Sequence, residues 1–132
     1  MNKILSKKDK TIQWGIKDKA TVKRFKSKLV NKPNGCIEYD GAFWDNREMY
    51  RTFPIYKTIR DHGFSVGATA VKAHRFAYAL HYGFDKLPIA GKFSADSKVI
   101  NHKCFNKSCV NPKHLNILTS RENLLEKNKK PV

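Results

Sequence analysis

Apolar residues recur along this chain with two different periods, and the changes of period divide it. Val22, Phe25 and Leu29 are spaced by three and four residues, which puts them on one face of a helix over about residues 19–30. After Cys36 the spacing shortens. Residues 36–39, 50–56 and 64–66 are brief aromatic and β-branched runs bounded by Gly41, Asp45-Asn46 and His62-Gly63, the pattern of two or three antiparallel strands. Helical spacing returns with Ala73, Phe76, Ala77 and Leu80 on one stripe and Gly83 as a stop, predicting a core helix over residues 73–82. Residues 84–98 hold Pro88 and Gly91 without a period and read as a loop.

The remaining stretch predicts strand, knuckle, strand, helix. Val99-Ile100 runs as a short apolar strand into Asn101-His102, Asn111-Pro112 turns the chain, and residues 114–118 alternate as a second strand. Thr119-x-x-Glu122 is a capping box for a helix from Ser120 to about residue 128. Asn123, one turn into that helix, can then face back toward the strand that ends at His102.

Cysteine spacing adds a metal to this picture. Cys104-x4-Cys109 is followed five residues later by His114, and thiolate sulfur with imidazole nitrogen is the donor set a tetrahedral zinc prefers. The fourth donor is Cys36, the only other cysteine, in the turn-like stretch Lys32-Pro33-Asn34-Gly35-Cys36. One Cys3His zinc would join an early strand to the late motif. An odd cysteine count without a secretion signal indicates reduced thiols and a cytoplasmic protein. His74 and His81 lie two turns apart on the core helix, but with no acidic or thiol companion at i+4 they read as packing or surface residues.

Charge then narrows the partners. With 132 residues, 27 Lys and Arg against 11 Asp and Glu, and a formal charge of +16, the chain attracts polyanions, and no run of about 18 apolar residues offers a membrane span. A nucleic acid is the expected partner. Residues 1–32 alone hold eleven Lys or Arg and two Asp, so residues 1–31 read as a basic arm or helix in front of a domain at 32–132. Lys23, Arg24, Lys26 and Lys28 are its candidate phosphate contacts. Arg47, Arg51 and Lys57, interleaved with the aromatics of the strands, are candidates for a DNA-facing sheet surface.

The order His102, Cys104, Cys109, Asn111-Pro112, His114 and Asn123 resembles the His-Me finger (HNH-type) endonucleases, most closely the His-Cys box homing endonucleases. The resemblance implies an α+β fold: a small ββα-metal domain with an added antiparallel sheet, a basic N-terminal helix and a structural zinc. It makes His102 the general base and Asn123 the ligand of one catalytic Mg2+, with Mn2+ as a substitute. Cys36, Cys104, Cys109 and His114 become the zinc ligands, and Asn111 braces the loop. Arg60 and Arg75 are the candidates for the cation at the scissile phosphate. In the broader HNH group the residue before the base is often Asp or His; here it is Asn101, a weak neutral ligand. The implied activity is DNA endonuclease, in a phage or intron-type mobility enzyme, with a homodimer as the related assembly. The short tail after Asn128 has no cysteines for the second zinc cluster of the best-known relatives. The competing expectation is a zinc-stapled DNA-binding module without catalysis.

Overall fold

The computed structural model describes residues 7–43, 50–59, 64–88 and 98–128, with the side chains of 57–59, 64–68 and 126–128 outside that description. Two short helices come first, α1 (Lys7–Gly15) and α2 (Lys19–Ser27). Their junction is set by Asp18, whose carboxylate accepts from the Thr21 amide at 3.1 Å and the Thr21 hydroxyl at 2.6 Å and so caps α2. α2 buries Phe25 and Thr21, but it stops at Ser27, short of the predicted end. Residues 29–31 form β1 (Leu29–Asn31) instead, paired antiparallel with β2 (Ile37–Tyr39).

The expected short strand at residues 64–66 proves to be one end of a longer hairpin. β3 (Thr52–Ile59) and β4 (Phe64–Lys72) pair antiparallel, with an irregularity between Tyr56 and Thr58, and β4 runs straight into α3 (Ala73–Tyr82). Gly83 ends α3 at φ 106°, where a side chain would be strained, and residues 84–86 make a single 3-10 turn inside the expected loop. β5 (Lys98–His102) then pairs antiparallel with β6 (Leu115–Thr119), and α4 (Ser120–Asn128) follows. The capping box is formed in both directions: the Thr119 amide donates to Glu122 Oε1 at 3.0 Å and the Glu122 amide to Thr119 Oγ1 at 3.1 Å.

No sheet among the described residues exceeds two strands, so side-chain packing must unite the parts. Phe25, Tyr39, Phe53 and Phe76 form an aromatic cluster with ring centroids 4.8–5.6 Å apart, drawing together α2, β2, β3 and α3. Ile12 of α1 is fully buried in the same core, and Ile100, Val110 and Leu115 extend it to the C-terminal motif. Gly15 lets α1 approach closely, since a Cβ there would lie 3.1 Å from Phe76 and 3.2 Å from Ile55. The loop between β5 and β6 lies along the open edge of β2: the Val110 amide donates to the Ile37 carbonyl, and Glu38 bridges Cys109. That edge pairing carries Cys36 to the knuckle.

Candidate active site

Four donors meet where β2 touches the knuckle. The ligand atoms of Cys36, Cys104, Cys109 and His114 all lie within 4.8 Å of one another. His114 Nδ1 is 3.6 Å from Cys36 Sγ and 3.5 Å from Cys109 Sγ. Ordinary Zn–S and Zn–N lengths at a tetrahedral angle put sulfur and nitrogen about 3.6 Å apart, so the cluster is compatible with Zn2+. Burial pushes the Cys109 thiol up to about 12. A bound cation reverses that preference, because a coordinated thiol gives up its proton. Local backbone shapes the cluster: Gly35 turns at φ 88° beside the His114 ring, and Asn111 donates to the Gly35 carbonyl at 2.9 Å while accepting from the Lys113 amide at 3.0 Å.

Cys109 links the Cys3His cluster to His102. His102 is buried at the end of β5, and its Nε2 lies 3.1 Å from the carbonyl oxygen of Cys109. A carbonyl can only accept, so Nε2 carries the proton and Nδ1 is the basic nitrogen. Burial lowers His102 to about 4, the bond to Cys109 works in the other direction, and the charge of Lys107 lowers it further. The imidazole is therefore neutral at neutral pH. His102, Asn123, Asn101, Ile100, Phe105, Tyr50 and Lys107 line one cleft of about 290 Å3. Asn101 is also tied across the strand pair, donating to Asn116 Oδ1 at 3.0 Å.

Three aromatic rings meet at this cleft. His74 packs edge-to-face on His102 at 4.8 Å between centroids, and Tyr50 stacks on His74 at 4.9 Å. His74 is buried, its Nδ1 has no hydrogen-bond partner among the described residues, and desolvation, followed by His102, Arg75 and Lys72, holds it well below 6.5. It is a packing residue, as its spacing suggests, but the residue it packs against is His102.

The other expected site residues are dispersed. Arg75 donates to Asp9 Oδ1 and to the Pro88 carbonyl, each at 2.8 Å, which places its guanidinium between α3 and the fully buried carboxylate of α1 and off the cleft lining. Arg51 braces the knuckle, with Nε donating to Ser108 Oγ at 3.1 Å, Nη1 to the Gly41 carbonyl at 2.7 Å, and its guanidinium stacked on Phe43. Arg24 donates to the Pro54 carbonyl and covers the Phe53 and Tyr56 rings. Lys23 and Lys26 join Lys17 and Lys19 around a groove of about 450 Å3 floored by Ile16, Val22 and Leu80, and Lys28 is exposed beyond the end of α2. Arg47, Arg60 and the side chain of Lys57 lie outside the described residues. Tyr50 and Lys107 join the cleft without a sequence signal, since no local spacing connects them to His102.

With this geometry in place, the comparison with known families is specific. Residues 71–125 match the family described as HNH endonuclease. That stretch runs from the end of β4 into α4 and is similar to the HNH endonucleases, and the match spans His102, Cys104, Cys109, His114 and Asn123. The likeness suggests nuclease activity, and the small α+β architecture and a Cys3His cluster compatible with zinc fit it. Neither the curated proteins nor the solved structures gave a significant match.

Proposed function

We propose that the protein is a metal-dependent DNA endonuclease in which His102 is the general base. One observation carries the reading: the His102 ring is fixed by the Cys109 carbonyl with Nδ1 as its basic nitrogen, in the same cleft as Asn123. Nδ1 takes a proton from the attacking water as its oxygen bonds to phosphorus. The P–O bond on the opposite side breaks, and the departing oxygen is protonated from solvent. Asn123 would hold Mg2+, with Mn2+ as a substitute, and the ion supplies positive charge at the phosphate oxygens when bound. Zn2+ on Cys36, Cys104, Cys109 and His114 is structural in this reading, because four protein donors leave it no open position.

Double-stranded DNA is the proposed substrate. The lysines of α2 and its approach, Lys17, Lys19, Lys23 and Lys26, offer phosphate contacts away from the cleft, and among the described residues no carboxylate lines their groove. Residues 32–132 are then the nuclease domain, and 1–31 a basic extension that Ile12 and Phe25 anchor in the common core. A phage or intron-type mobility enzyme of the His-Cys box kind is the setting we favour. No helix among the described residues is long and apolar enough to cross a membrane.

Incubation of supercoiled plasmid and mixed genomic DNA with Mg2+, and in parallel with EDTA, tests the proposal. Nicks or breaks that need the metal are expected. Tight binding with no cleavage of any DNA supplied would favour the non-catalytic binding module.

A further inference from the structure

We infer that Lys107, held over the Tyr50 ring at the rim of the His102–Asn123 cleft, binds an oxygen of the phosphodiester being cut and supplies the positive charge that neither Arg75 nor Arg51 can bring there. The inference rests on the nuclease reading of the cleft.

A phosphoryl group gathers negative charge on its oxygens during hydrolysis, so the site needs a cation whose position is already fixed. Lys107 lines the cleft and lies close enough to His102 for its charge to act on that ring. Its ammonium is 5.2 Å from the centre of the Tyr50 ring, a distance at which the π face attracts a cation while leaving its N–H donors open to an anion. Among the described residues it makes no ion pair.

The backbone around Lys107 is fixed from both sides. The side chain of Asn106, the residue before it, donates to Glu38 Oε2 at 2.9 Å and accepts from the Ser108 amide at 3.0 Å. Ser108, the residue after it, accepts from Arg51. Cys104 and Cys109 bracket the turn, so the loop that gathers the zinc donors also presents the lysine. Lys72 approaches the same ring, at 4.8 Å from its centre, and adds to the positive field on that side. Arg75 and Arg51 are engaged by Asp9, Pro88, Gly41 and Ser108 instead.

The experiment compares Lys107→Gln and Lys107→Arg with wild type in single-turnover cleavage at saturating DNA, with zinc content and thermal midpoint as the check on folding. Lys107→Gln should cut about 100-fold more slowly, the scale of losing one preorganised charge donor, with zinc content unchanged. Lys107→Arg should recover most of that rate. Wild-type cleavage by Lys107→Gln, or no recovery in Lys107→Arg, overturns the inference. Should wild type cut no DNA at all, the nuclease reading fails, and the salt dependence of duplex binding decides the lysine separately. A slope lower by about one in Lys107→Gln supports the phosphate contact, and an unchanged slope overturns it.

Discussion

The Nε2 of His102 donates to the backbone carbonyl of Cys109 at 3.1 Å, so a member of the zinc-compatible cluster fixes the tautomer of the proposed base. His102→Ala should therefore lose roughly 100- to 10,000-fold in cleavage rate, while duplex affinity and metal content stay close to wild type. Equal rates for the variant and wild type would place the base elsewhere. Asn123→Ala should also lose activity, and a partial return at higher Mg2+ or with Mn2+ would identify a metal-binding defect.

Metal analysis should find one zinc per chain. Cys36→Ser or His114→Ala should lower the thermal midpoint by about 10 °C or more, because structural zinc binding contributes directly to folding free energy and a loss of ~3 kcal/mol is enough for that shift. A stable, zinc-free folded protein would show that the four donors serve another purpose.

Arg75 and Asp9 make a second stability prediction. Arg75→Ala leaves the carboxylate of Asp9 buried without its guanidinium, a defect that typically costs about 3–5 kcal/mol. Loss of activity in this variant should follow loss of fold, measured by denaturant unfolding. A fully stable but inactive Arg75→Ala would restore Arg75 as a cation of the reaction.

Binding to duplex DNA should weaken steeply with salt. Replacing Lys17, Lys19, Lys23 and Lys26 together by Gln should lower the slope of log affinity against log salt by about three to four, near 0.9 for each phosphate no longer neutralised. An unchanged slope would remove that groove from the DNA surface. Deletion of residues 1–30 is the poorer experiment, since it takes Ile12 and Phe25 out of the core.

The buried His74 should make stability depend on acid. Its folded pKa is well below 6.5 while the unfolded chain titrates near 6.5, so below that pH the unfolded state binds the extra proton and stability falls as pH drops. The loss approaches ~1.4 kcal/mol per pH unit for one such group. Zinc-loaded His74→Phe should lose less stability than wild type between pH 7 and 5.5; parallel losses would show that His74 does not set the slope.

What can be read from sequence is local. The capping box at Thr119 and Glu122, the strand ending in His102 and the helix through Phe76 each lie in a short window whose periodicity specifies the element, and the structure forms all three. Cys36 is accessible to such reading because the chain holds only three cysteines. α1 gives little signal, since Asp9 and Thr11 are buried on it together with Ile12. Arg75 looks available in sequence because its partner lies 66 residues earlier, and Tyr50 and Lys107 meet only through tertiary packing. Ion pairs and cation–π contacts at such separations leave no period to detect.

The span of the Cys3His donors would also order events on the ribosome if they bind zinc as proposed. Cys36 leaves the ribosome early, whereas His114 lies 78 residues later and closes the donor set. Until that histidine emerges, the nascent chain cannot complete the donor set, so a zinc site of the proposed kind forms only when most of the described residues have been made.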